Sequence, residues 1–575
     1  MPRLRPLCLL ALLATPALAG PSDEVALPPP EAVSAEVDAL MEQVWKEKGI
    51  EPAKPASDAE LLRRMCLDLH GVIPEEERVR AFLGDKSRAK RQVLVRALLE
   101  EEAFARFSAL RWSYLLVGRE YLFKSFAVKK VMDMRARRQE RMEGMEGGTQ
   151  PGADEMDGEM EPRDDRPVPP LTAWLEDRLR ENAPWDQVVR QVVAAQGTVE
   201  ENPAGHYLVR HLRDGKAEEL AGSSMRLFQG LQIQCAQCHD HPYTAWSQHD
   251  FYGVAAFFSR AAARRVPDPD AKNGKGGFEV LERPDGQIRI AAPPGERGQM
   301  VLPRFTTGQV IPPGKGVARR EELGKLLTSP ENPWFAKAMV NRFWSFLFGR
   351  GIVTPVDDLE VGTSLHPQVL ERLARDFRDS GHDVRRLVEV MLLTRAYQLG
   401  SAGPVETRAA QQEALARMPL RQLSAEQLFY SVMEATGTGD ARTRSLRERA
   451  RLERTKVQLL RQFLQTFADD EAEEVVEEGT IPQALLLLNG PVSNEAVRPR
   501  PGHPLFDRLF KLEGLKARAE LVWVRFLGRQ PTPDELRTVE KLFARPDGKT
   551  AAAQAQGWSD VMWALLNSPE FSFNH

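Results

Sequence analysis

Apolar residues recur at three- and four-residue spacing along most of this chain, the pattern of helices that bury one face. The spacing predicts helices over 33–48, 58–69, 75–83, 87–99 and 102–122, then over 171–197 and 217–239. Helical spacing dominates again from 319 to 575, interrupted by "GTGDARTRS" (437–445) and by the acidic run "DDEAEEVVEEG" (469–479). The acidic run reads as a solvated loop or helix end, because consecutive like charges repel and stay hydrated.

Two stretches break the pattern. Between 264 and 316 glycine and proline are dense, and "FEVLERPDGQIRIAAP" alternates apolar and polar residues around Pro284, Asp285 and Gly286. That alternation predicts a small β-hairpin with its turn at those three residues. The stretch 135–170 is acidic and rich in glycine and methionine, and lacks the aromatic and β-branched residues that offset ordering entropy. It is expected to be a disordered insertion, with Met142, Met145, Met156 and Met160 as exposed filler rather than soft-metal ligands.

The expected fold class is therefore mainly α, two helical domains with a small β-hairpin segment at the seam and a disordered acidic insertion. The boundaries are a signal peptide at 1–19, a Pro-rich leader at 20–32, a helical domain at 33–263, a Gly/Pro-rich β segment and linker at 264–318, and a second helical domain at 319–575.

Composition narrows the function classes. A length of 575 residues exceeds one ordinary core, and a formal net charge of −4 gives no electrostatic case for nucleic acid, local basic patches aside. The opening "MPRLRPLCLLALLATPALAG" has two arginines, an apolar run and the small-residue site Ala17-Leu18-Ala19, the marks of a secretory signal peptide too short to span a membrane. The mature chain is expected in the periplasm, cell envelope or extracellular space, without a transmembrane segment. Cleavage takes Cys8 with it, leaving three of the four cysteines, too few for a disulfide framework. Cys66, in "LLRRMCLDLHG", falls at helical spacing and reads as a buried thiol.

Chemistry concentrates in "CAQCHDHPYTAW" (235–246). A helix continuing through 239 would place Cys235, Cys238 and His239 on one face. C-x-x-C-H is the attachment pattern of haem c, with two thiols bonded to the porphyrin edge and the histidine as axial ligand. The same cysteines with His239 and His241 could instead hold zinc or iron, or the cysteines could close a disulfide. Export favours haem. Trp246, Phe251, Tyr252, Phe257 and Phe258 could wall a porphyrin, although "DFYGVAAFF" taken alone reads as an ordinary core helix. His206, His211, Met225 and Met339 are candidates for the iron's other axial position. Asp357 and Asp358 are expected to cap a helix and to pair with Arg342 or Arg350; Asn341 and His575 are further polar positions. The chain has no GxSxG, HExxH or P-loop pattern, so hydrolase and nucleotide-binding readings have no residues to rest on.

The stretch "RLFQGLQIQCAQCHDHPYTAWSQHDFYGVAAFF", with "LLRRMCLDLHGVIP" and "ENAPWDQVVRQVVAAQG", resembles the planctomycete-type cytochrome-like domain of unknown function. The later blocks "NPWFAKAMVNRFWSFLFGRGIVTPVDDL", "LHPQVLERLARDFRDSGHDVRRLVEVMLLTRAYQL" and "ALLNSPEFSFNH" are similar to the planctomycete surface domain that usually follows it. The resemblance implies a secreted protein with no assigned reaction, accompanied by an exported sulfatase-like protein; a redox partner is the alternative that the haem reading expects. Many members add an N-terminal cytochrome c module, which this chain lacks. Together these readings give an exported cytochrome-like protein carrying one haem c for electron transfer or redox sensing. The alternative is a non-enzymatic envelope or surface assembly protein whose Cys/His knot is structural.

Overall fold

Several helices start where the sequence provides a side-chain cap. Ser57 Oγ accepts the Glu60 N–H at the head of the Asp58–His70 helix, and Ser247, Ser424 and Thr532 form reciprocal capping boxes with Asp250, Gln427 and Glu535. A computed structural model describes residues 27–122, 168–212, 216–267, 275–291, 298–312, 314, 316–438, 490–544 and 550–575. The expected signal peptide, the start of the leader, all but the last three residues of the 135–170 insertion and the acidic run 469–479 lie outside them.

Among the described residues the chain is mainly helical with three small sheets. β1 (Gly197–Thr198), β2 (Ala261–Pro267) and β3 (Lys275–Glu282) form an antiparallel sheet in the order β1-β3-β2. β4 (Ile288–Ile290) pairs with β5 (Gln299–Val301), and β6 (Arg421–Gln422) pairs with β7 (Phe573–Asn574). The two arms of the expected hairpin thus join different sheets. The turn between them is tied to the end of the Gln248–Phe258 helix instead. The Gly286 carbonyl accepts from Ser259 Oγ at 3.2 Å and from Arg319 at 3.1 Å, and a Cβ on Gly286 would sit 2.3 Å from the Ser259 carbonyl oxygen.

One buried core runs from Val33 to Met418, with Val524 added from the C-terminal part, and draws on residues from both 33–263 and 319–575. Its centre joins Trp112, Trp185 and Phe343, with the Trp112 and Trp185 ring centroids 4.7 Å apart. Cys66 lies in this core, where burial pushes its thiol up to about 12. A second core gathers the C-terminal helices around Phe429, Trp523, Phe526 and Trp558, and includes Leu67 and Ile73 from the N-terminal part. Among the described residues no helix is long and apolar enough to cross a membrane.

A buried polar centre fastens these parts together. Asp68 receives two hydrogen bonds from Arg421 (2.8 and 2.9 Å), one from the Tyr397 hydroxyl (2.8 Å) and one from Asn574 Nδ2 (2.8 Å). Beside it, Arg64 donates to the carbonyls of Tyr397, Leu399 and His575. Burial holds the Arg64 guanidinium below its ordinary range and the Tyr397 phenol well above its own.

Nearer the surface of the C-terminal part, Arg529 is gripped by Glu535 (2.8 Å to each oxygen) and Glu570 (2.6 and 2.7 Å). The Arg529 hydrogen bonds hold Glu535 down at about 2. A carboxylate depressed in the folded state contributes stability that is complete above its unfolded value and is lost as pH falls through about 2. A 13C titration of the Glu535 carboxyl is therefore expected to show a midpoint near 2, moving back towards the ordinary glutamate range in Arg529→Met. A wild-type midpoint in the ordinary range would contradict this pairing.

Candidate functional site

The Ala217–Gln229 helix packs on the Gln248–Phe258 and Phe335–Phe348 helices, and the segment 230–247 is the connection it makes to the first of them. The expected helix over 217–239 stops at Gly230. That residue adopts a left-handed φ of +61°, and the Leu231 N–H turns back to the Met225 carbonyl at 3.2 Å. A side chain at 230 would also collide with Leu359, 2.8 Å from a Cβ there. Cys235, Cys238 and His239 consequently do not share an α-helical face.

Cys235 lies in a tighter 3₁₀ turn, Ile233–Gln237, in which positions three apart lie above one another; Cys238 caps the end of that turn and His239 follows it. Ile233 and Ala236 point inward and are buried. Cys235 and Cys238, the other pair three apart, are exposed and carry free thiols. Gly222 lets this turn approach the preceding helix, because a Cβ there would lie 2.6 Å from Gln234 Cγ.

The two histidines are committed in opposite ways. His239 is exposed, and its Nδ1 lies 2.7 Å from the Asp240 carbonyl. A carbonyl only accepts, so this bond places the proton on Nδ1 and leaves the Nε2 lone pair of the neutral ring free. His241 Nδ1 instead accepts the N–H groups of Tyr243 (3.3 Å) and Thr244 (3.1 Å), which puts the neutral ring's proton on Nε2. His241 caps a turn; His239 offers a ligand atom.

The loop is closed behind them. The Gln248 N–H donates to Asp240 Oδ1 at 2.9 Å, its side chain donates to the Gln237 carbonyl at 3.0 Å, and the His241 N–H reaches the Trp246 carbonyl at 2.8 Å. Tyr243 is 82% exposed.

The aromatic wall expected from the sequence is mostly not at this loop. Phe251, Phe257 and Phe258 are completely buried in the first core, because the Gln248–Phe258 helix turns its apolar residues inward. Trp246 remains half-buried beside the loop. The Tyr252 phenol is raised above its usual range, first by burial and then by the nearby Glu218 and Cys238. Three of the four axial candidates, His206, Met225 and Met339, are buried, and His211 is partly buried. His206 bonds the Tyr121 hydroxyl at 2.9 Å, and burial pushes both His206 and His211 down to about 4. Met225 is fully buried, and Met339 Sδ accepts the Trp185 indole N–H at 3.2 Å.

Asp357 pairs neither with Arg342 nor with Arg350. It accepts from Gln232 Nε2 at 2.9 Å and faces Arg226 at 3.6 Å, which brings the turn after the Phe335–Phe348 helix against the cysteine loop. Asp358 caps its own turn through the Val361 N–H. Asn341 is buried and bonds the backbone of Val353 and Val356, and His575 is held by the Arg64 bond to its carbonyl. Sequence reading did not find Glu360, whose carboxylate accepts the Trp246 indole N–H at 2.5 Å; it follows two other acids in "DDLE" and carries no motif.

Among the described residues, no group of three or more His, Cys, Asp or Glu side chains stands close enough to hold a metal ion. Two clefts, of about 420 and 370 Å³, lie elsewhere, one lined by Arg190, Gln191 and Asn202 and the other by Arg518, Glu540 and Gln554.

Residues 36–132 and 152–263 match the family model described as "PSCyt2: Protein of unknown function (DUF1549)", and residues 319–543 match "PSD1: Protein of unknown function (DUF1553)". Both are planctomycete-type domains of unknown function. No curated protein and no solved structure matches the chain.

Proposed function

We propose that this chain, which carries two planctomycete-type domains of unknown function, is an exported cytochrome-like protein. One haem c would be held on the 235–239 turn, by thioether bonds to Cys235 and Cys238 and through His239 Nε2, for electron transfer or redox sensing. The observation that carries this reading is His239: its Nδ1 proton is tied to a backbone carbonyl, its Nε2 is free, and two exposed thiols stand in the same turn. Metal-binding histidines are generally held in this way, with the second ring nitrogen donating to a carbonyl or carboxylate. The donor set therefore fits the group. The buried phenylalanines do not serve as its wall, which points to a surface haem rather than an enclosed one.

The haem, when bound, supplies a reversible one-electron change at iron. Everything else falls to the chain. The Asp240 carbonyl fixes the His239 tautomer, and Gln248 holds Asp240 in turn. Ile233 and Ala236 anchor the turn in the core, so both thiols face solvent, where attachment machinery can reach them. Cys235 and Cys238 would each add across one vinyl group of the bound haem, sulfur to one carbon and hydrogen to the other, so the attachment would consume no oxidant.

Production in an exporting host with c-type haem maturation machinery is expected to yield a coloured chain whose reduced absorption spectrum shows haem c. Cys238→Ala is expected to lose the two-thioether spectrum. A colourless wild-type chain holding zinc or iron in stoichiometric amount, or a Cys235–Cys238 disulfide, would overturn the proposal.

A further inference from the structure

The cysteine turn lies in the half of the chain that matches the first family model, yet both of its ends are tied to one turn in the half that matches the second. Ahead of Cys235, the Leu359 N–H donates to the Gly230 carbonyl at 2.8 Å, and Gln232 donates to Asp357 at 2.9 Å. Beyond His239, the Trp246 indole donates to Glu360 at 2.5 Å. The turn that makes these contacts is itself braced. Asn341 bonds the Val353 N–H (2.9 Å) and the carbonyls of Val353 (2.9 Å) and Val356 (3.1 Å), while Thr354 and Thr363 exchange backbone bonds of 3.0 and 2.9 Å. Gly230 has no Cβ at the point where Leu359 docks, so this contact between the two halves coincides with the helix stop that precedes the cysteine turn.

We infer that the 353–363 turn is a positioning clamp for the cysteine turn, with Asp357, Leu359 and Glu360 as positioning residues, so that the site is completed only by both halves of the chain. A loop held at both ends by an external brace samples fewer conformations than one closed only on itself, which keeps two thiols and one imidazole in a single arrangement. This inference does not depend on what the thiols carry.

The test uses the full-length, haem-free chain with its thiols reduced. Hydrogen exchange is followed at the Leu359 and His241 amides, together with the midpoint potential of the Cys235/Cys238 dithiol. Asp357→Ala combined with Glu360→Ala removes one partly buried and one exposed acceptor. Exchange at both amides is expected to quicken by about three- to tenfold, the dithiol potential to shift, and the urea unfolding midpoint to stay unchanged. Glu360→Gln keeps an acceptor for Trp246 and is expected to restore slow exchange in the Asp357 wild-type background. Unchanged exchange and potential in the double variant would overturn the clamp. So would a change that appears only together with a lowered urea midpoint, since that would be general loosening of the fold. A failed haem assay would leave these readouts untouched, so the two ideas stand or fall separately.

Discussion

Asp68→Ala is expected to lower stability by about 3–5 kcal/mol, the range for removing one partner of a buried ion pair. The side chain is buried and accepts four hydrogen bonds, two from Arg421 and one each from Tyr397 and Asn574. Alanine would leave the Arg421 guanidinium without its carboxylate, next to the buried Arg64 and Arg111. Burial already brings Arg111 down to about 10. The four contacts tie Asp68, in the Asp58–His70 helix, to three other parts of the chain: the segment at Tyr397 and both strands of the β6–β7 pair. The loss should therefore be global. Urea unfolding followed by circular dichroism is the measurement. A shift under about 1 kcal/mol would mean that Asp68 is not the fastening point described, because an ordinary surface ion pair is worth no more than that. Tyr397→Phe, which removes one donor and keeps the ring, is expected to cost about 1–3 kcal/mol.

His239→Ala and His241→Ala, two positions apart, are expected to separate completely. With haem attached, His239→Ala should abolish protein ligation on that face of the iron, and imidazole added to the buffer should restore the spectrum. His241→Ala should leave the spectrum unchanged and only weaken the turn it caps, by about 0.5–1.5 kcal/mol for a lost neutral hydrogen bond. The contrast rests on the opposite tautomers: His239 gives its Nδ1 proton to the Asp240 carbonyl, while His241 spends its Nδ1 lone pair on two backbone N–H groups. Equal spectral effects from the two substitutions would contradict that assignment.

The difference between these histidines is not legible in "CHDHP", where both carry the same ring and stand next to the same cysteines. It depends on which backbone groups each ring meets, and that is set by a turn fixed from outside. The helices themselves are legible, because apolar spacing and capping residues such as Ser57 and Ser247 act locally. The break before the cysteines is legible in principle. Gly230 is a helix-stop residue, but the apolar spacing of Leu231 and Ile233 continues past it and carries the expected helix too far. The β segment shows the same limit. Pro284 bends the connection between β3 and β4, but nothing in sixteen residues of alternating pattern indicates that Ser259 and Arg319 hold that connection at Gly286 or that β2 takes the edge of β3. The aromatic run after the cysteines favours core packing over a porphyrin wall because eleven residues of helix must bury a face somewhere, and the core lies on that side. Glu360 and Leu359 become visible only once the fold brings them to a loop more than a hundred positions away.

The central claim is that Cys235 and Cys238 carry a haem. Its most direct measurement is the mass of the proteolytic peptide containing both cysteines, taken from chain exported by a host that matures c-type cytochromes. This peptide is expected to be heavier by one haem, and replacing both cysteines by alanine is expected to remove the addition. A wild-type peptide at its unmodified mass, or lighter by the two hydrogens of a disulfide, would contradict it.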